Sequence, residues 1–244
     1  MLDTITVESL LASRSARRSG ETKNKERARK RSSESKFLAE NFSWYDQLRA
    51  HLYHPHHFPT IEVSSKNSTV TGRLETLGWI ERTGVKTWSV TNDPDIRTYL
   101  SGGWLEEYAF LAHEAAGADE VYFGQEIEWR VGDVVGKNEI DVIARRGGVL
   151  SFTSCKAIQA DKTQGHMAQL RGFVTETDYW NIHFADDQGR ALLVVTADFI
   201  DELNGNAHRY PQLMARASIL NVTVAGLESL AWPRLVESIK AHWQ

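Results

Sequence analysis

Two runs of alternating side chains, residues 138–146 and 149–156, flank Gly147-Gly148, and this arrangement leaves the chain few choices. Runs rich in Val, Ile, Phe and Thr on either side of a two-residue glycine pair predict a tight β-hairpin. A type I′ turn needs positive φ at both central positions, which two glycines supply. With Arg146 opposite Val149, Asp141 falls opposite Ser154 and Glu139 opposite Lys156. Side chains alternate along a strand, so Glu139, Asp141, Ser154 and Lys156 are expected on one face. Ile140, Val142 and Ala144 are expected on the other, with Val149, Ser151, Thr153 and Cys155. Acids and a lysine meeting at a strand end point to chemistry. Carboxylates hold a hard divalent cation, and a lysine stabilises charge on a phosphate.

Around the hairpin the pattern alternates. A helix is expected over 103–116 and strands over 121–129, 138–146 and 149–156. A helix over 162–177, a strand over 191–196, a helix over 199–215, a short strand over 219–224 and a last helix over 227–243 follow. That order predicts an α/β fold, a mixed sheet flanked by helices. Upstream, a helix over 38–53, a second capped near Ser68 and a hairpin around Thr83-Gly84 suggest a small winged-helix-like module. Lys66 and Arg73, with Asn67, Thr69 and Thr71, are its candidate nucleic-acid contacts. His51, His54, His56 and His57 cluster without the spaced partners of a zinc site and read as a polar loop.

Charge is uneven. Residues 14–36 carry ten basic side chains and three acids, within a chain whose net charge is −4. Serine-rich and nearly free of apolar residues, this stretch reads as a disordered arm for nucleic-acid phosphates, with Arg27, Arg29, Lys30 and Arg31 as contacts. The expected division is 1–36 as basic tail, 37–98 as the winged-helix-like module and 99–244 as the catalytic domain. No run approaches 18 apolar residues, so no membrane span is expected. The opening Met1-Leu-Asp-Thr-Ile-Thr-Val has no secretory pattern, and a cytoplasmic location is expected. Cys155, the one cysteine, allows no internal disulfide and no cysteine-based zinc site. Motifs for NTPases, dinucleotide enzymes and serine hydrolases are absent.

Ser101-Gly-Gly-Trp-Leu-Glu-Glu-Tyr108, Asn138-Glu-Ile-Asp141 and Phe152-Thr-Ser-Cys-Lys156 together resemble the PD-(D/E)xK nuclease superfamily. The nearest likeness is to the nuclease domain of CARF-linked CRISPR ancillary endonucleases, over about residues 95–175. The resemblance implies a restriction-endonuclease-like core and an Mg²⁺- or Mn²⁺-dependent endonuclease acting on DNA or RNA, in antiviral or phage-related defence. Asp141 and Lys156 match the motif aspartate and lysine, and Glu106 matches the helix glutamate. Gln169 falls where some members place a positioning glutamine, and the Cys155 backbone carbonyl is a candidate third metal ligand. A homodimer is open. Amphipathicity alone favours Glu107 over Glu106 at the site. Two departures stand out. Ser154 occupies the position where the family has an acid. The roughly 60 residues between the basic stretch and Ser101 are too few for a CARF sensor. The alternative is therefore a catalytically weakened nuclease fold that binds nucleic acid.

Overall fold

The computed structural model describes residues 5–61, 64–158, 164–185, 188–201 and 204–244. In chain order the elements are α1 (Val7–Ala12), β1 (Ala16–Ser19), α2 (Lys25–Lys30), α3 (Ser32–Glu40), α4 (Phe42–Tyr53), α5 (Ser65–Thr76), β2 (Ile80–Arg82), β3 (Trp88–Val90), α6 (Pro94–Thr98) and α7 (Trp104–Ala115). Then come β4 (Glu120–Val131), β5 (Val134–Arg146), β6 (Val149–Lys156), α8 (Gln164–Ala185), β7 (Arg190–Val195), β8 (Ile200–Asp201), β9 (Ala207–His208), α9 (Pro211–Ile219), β10 (Val222–Ala225) and α10 (Trp232–His242). The chain forms two compact units. One takes the described residues up to Ser32 together with Glu106–Gln244, and the other is Ser33–Leu105.

The larger unit is built on a six-stranded mixed sheet in the order β1-β4-β5-β6-β7-β10. Its first four strands are antiparallel neighbours, and β6, β7 and β10 run parallel. Adjacent residues of β6 reveal the layers. Thr153 meets His113 of α7 and Ser151 meets His242 of α10, whereas Phe152 packs on Phe184 of α8. Helices α7 and α10 therefore cover one face and α8 the other. Leu213 and Ala217 of α9 pack with Leu170 and Val174 of α8 over β7 and β10.

The hairpin register is as expected, with Arg146 opposite Val149 and Val142 opposite Thr153. Only Gly147 of the glycine pair takes positive φ, +58°, so the turn is not type I′. The helix expected over 199–215 is broken. An Asn-Gly-Asn turn, with Gly205 and Asn206 at positive φ, joins β8 to β9, and α9 starts only at Pro211. Proline suits the first helical turn and not a helix interior, so it outweighs the apolar spacing here.

The basic stretch is not a free disordered arm. Val7 and Leu11 of α1, Ala16 of β1 and Ala28 of α2 are buried, and β1 pairs antiparallel with β4 along the sheet edge. Its charges are largely neutralised at home. Arg17 pairs with Glu128, Arg18 with Glu8, and Arg29 with Glu114 and Glu26. Composition suggested disorder because the few apolar anchors are spaced far apart, while the sheet supplies the partner that completes them.

Gly136 lies opposite Trp129 in the β4–β5 ladder, and a Cβ there would fall 2.3 Å from the indole. Trp129 in turn packs edge-on against Trp180 and Phe184 of α8. Gly136→Ala is expected to push the ring away and cost ~1–3 kcal/mol, read as a lowered melting temperature.

In the smaller unit, helices α4 and α5 precede the β2–β3 hairpin, in the order read from sequence. The single helix expected over 38–53 is instead α3 and α4, parted at Asn41. Phe42, Tyr45 and Trp104 form an aromatic core with ring centroids about 6 Å apart. The buried His51 clamps this unit. Its Nε2 accepts the Trp88 backbone N–H at 3.0 Å, leaving Nδ1–H to donate to the Phe58 carbonyl at 2.7 Å. Asn67 and Thr71, expected to face DNA, are buried. Lys66, Thr69 and Arg73 are exposed on α5, with Lys66 over Trp44 and Arg73 paired to Glu34.

Candidate active site

The centre of interest lies where the sheet's alternation fails. Phe123 of β4 stacks on Phe110 of α7. Trp129, six residues on, should share that face but packs against Trp180 of α8. Likewise Ile140 and Ile143 of β5, three apart, join one cluster with Phe152, Trp180 and Phe184. Every residue from Glu120–Arg145 to Val131–Val134 is paired in register, except Gly124 with Asp141. Gly124 sits there at φ +52°. A left-handed glycine inside a strand marks a bulge-like break, which re-aims the side chains beyond it. The reversal sets Glu139 and Asp141 toward the α7 side, where Glu106 stands in the first turn of α7.

This corrects the strict alternation read from sequence. The β5–β6 ladder ends at Val142–Thr153, so Glu139 does not lie opposite Lys156, and Ile140 leaves the face of Val142. Asp141 turns across the gap. Its Oδ2 accepts the Cys155 backbone N–H at 2.7 Å and lies 3.4 Å from the Ser154 hydroxyl and 3.8 Å from Lys156 Nζ. Lys156 Nζ also lies 3.8 Å from Glu176 of α8 and above the Phe173 ring. Asp141, Ser154 and Lys156 are thus gathered as expected. Gln169 is exposed on α8, and it is Glu176, two turns on, that reaches Lys156.

Glu106, not Glu107, faces this corner. Helix α7 is buried almost all round, so its most apolar stripe does not decide which glutamate meets the site. Glu107 is buried beside Arg31, at 3.5 Å. Glu106 pairs with Lys23, whose Nζ lies 2.7 Å from Glu106 and 2.9 Å from Glu139. Burial pushes the Glu106 carboxyl above the usual range, and Asp141 and Glu139 add to this while Lys23 opposes it. Burial works against the Lys23 ammonium, yet the two glutamates more than offset it and its pKa is pushed up to about 12. Burial, then the carboxylates of Asp141 and Glu106, push the Cys155 thiol well above its ordinary value. That thiol is a poor nucleophile.

Among the described residues no three His, Cys, Asp or Glu side chains gather as a metal-ligand set. The donor chemistry nonetheless fits Mg²⁺ or Mn²⁺. Mg²⁺ is usually held by one or two carboxylates, with water and substrate phosphate completing its shell. Glu106 and Asp141 are two such groups, close enough that the Asp141 carboxylate helps to raise the Glu106 pKa. Lys23 and Glu176 were not legible as site residues. The first hides in a basic run, and the second carries no motif.

The fold is shared with known structures. Protein VC1899 from Vibrio cholerae superposes with a TM-score of 0.68 at 16% identity, over 98% of this chain and 63% of that one. Can2 from Sulfobacillus thermosulfidooxidans, solved in complex with cyclic tetra-adenylate (cA4), superposes with a TM-score of 0.67 at 17% identity, over 98% of this chain and 61% of that one. The chain therefore spans less than two thirds of either protein. No family model matches the chain, and no curated protein matches it in sequence. Among the described residues no helix is long and apolar enough to cross a membrane.

Proposed function

We propose that this chain is a CRISPR-associated nuclease-fold protein that hydrolyses phosphodiester bonds in DNA or RNA. The observation that carries this reading is Asp141 at the Gly124–Asp141 break, 3.8 Å from Lys156 Nζ and close enough to Glu106 to help raise its pKa. Sequence resemblance to PD-(D/E)xK nucleases and the shared fold with Can2 support it. Glu106 and Asp141, with the Cys155 carbonyl, would hold Mg²⁺ or Mn²⁺. Such an ion, when bound, polarises a phosphate and lowers the pKa of a bound water. Asp141 is oriented for this by the Cys155 N–H. Lys156, steered by Asp141 and Glu176, directs its ammonium toward charge developing on the phosphate. The smaller unit would act as a winged-helix-like holder of the polynucleotide through Lys66 and Arg73. Arg27 and Lys30 would add phosphate contacts. Arg29 and Arg31 are already paired with Glu114 and Glu107.

Ser154 favours a second reading, a nuclease fold that binds nucleic acid without efficient cleavage. A hydroxyl replaces a negative charge 3.4 Å from Asp141. The test is cleavage of labelled DNA and RNA with Mn²⁺, with Mg²⁺ and with EDTA, by the native chain and by Ser154→Glu. Metal-dependent cutting by the native chain is the expected result. Cutting by Ser154→Glu alone would establish the weakened enzyme. Binding without cutting in both would leave the non-catalytic reading.

A further inference from the structure

Lys23 belongs to no motif, yet it is seated in the site. Its Nζ bridges Glu106 and Glu139. Its stem runs over Gly124, where a Cβ would fall 2.3 Å from Cδ and Cε. The residue opposite Asp141 in the sheet thus leaves room for this lysine and takes a φ that favours glycine. The backbone is fixed as well. Lys23 N–H donates to the Phe123 carbonyl at 3.0 Å, and the Thr22 hydroxyl both donates to that carbonyl and accepts the Phe123 N–H. Strand β1 anchors the segment just upstream.

We propose that Lys23 is a built-in cation of this site, its ammonium holding the place between Glu106 and Glu139 that a second divalent ion would otherwise take. Glu106, Asp141, Glu139 and Glu176 bring four negative charges, and Lys23 and Lys156 return two. One divalent ion at Glu106 and Asp141 completes the balance. Without Lys23 the same carboxylates have charge and space for another. A tethered ammonium gives a permanent positive charge that needs no ion from solution. This rests on the nuclease reading, so the test counts bound ions and not cleavage.

Mn²⁺ is titrated into the full chain by calorimetry, with free Mn²⁺ followed by electron paramagnetic resonance. Lys23→Met is expected to bind one Mn²⁺ more than the native chain, or to bind it at least ~10-fold tighter, because a like charge within a few ångströms is gone. Adding Glu139→Gln to Lys23→Met is expected to remove the gain, and Lys23→Arg to show none. Lys23→Gln replaces Lys23→Met if circular dichroism shows that the latter is unfolded. Equal number and affinity of ions in the native chain and the neutral variant, including none in both, would overturn the proposal. An ion gained by the variant while the native chain binds none would uphold Lys23 as the resident cation. That same result would remove the metal from the proposed function.

Discussion

Acidification from pH 6.5 to 4.5 is expected to remove a large part of the larger unit's stability. His113 and His242 are buried between the sheet and its α7/α10 layer. Burial, and then His242, lowers the His113 pKa to about 3. Burial, and then Arg190, lowers that of His242 to about 4. Hydroxyls pair with both rings: Thr153 with His113, and Ser151 and Thr223 with His242. In the unfolded chain each titrates near 6.5, so below that pH the unfolded state binds more protons and gains. The stability is fully present above 6.5 and is lost as the pH falls toward 4 and then 3. At pH 4.5 the two together cost on the order of 5 kcal/mol, against a typical total of roughly 5–15 kcal/mol. The measurement is urea unfolding at a series of pH values. A His113→Gln variant is expected to flatten the slope by about one proton, and an unchanged slope would refute the assignment.

Asp141→Asn is expected to reduce metal-dependent cleavage by roughly 10³-fold, the scale of losing a preorganised charge at a reacting centre. The asparagine oxygen can still accept the Cys155 N–H that holds the strand end, so the melting temperature should hold within a few degrees. That separates chemistry from folding. Rates near native in a folded Asp141→Asn would place the reaction elsewhere, or nowhere, on this chain. Lys156→Met should behave similarly, since its ammonium is the positive group nearest Asp141 on β6.

Much of the scaffold was legible because it depends on local rules. The glycine pair, the flanking β-branched residues and the apolar spacing of residues 103–116 predicted β6 to the residue, α7 to within one residue at each end and β5 from Asn138 on, four residues after its start, and a mixed α/β sheet with them. Local rules misled where two signals competed. Apolar spacing suggested a helix from Phe199, and the Asn-Gly-Asn turn with Pro211 prevailed. Composition suggested a loose basic arm, and the open edge of β4 captured it. Gln169 fitted by analogy, while Glu176 fitted by geometry.

The sequence by itself determined the hairpin and its register, and it brought Asp141, Ser154 and Lys156 to one strand end, because turn chemistry and alternation act over a few neighbouring residues. Which glutamate joins them, that the alternation reverses at Gly124, and that Lys23 reaches in from 101 positions before that glycine were decided only in three dimensions. A charge is drawn to its counter-charge through space, and the spacing of residues along the chain does not record which distant segment the sheet edge will hold beside them.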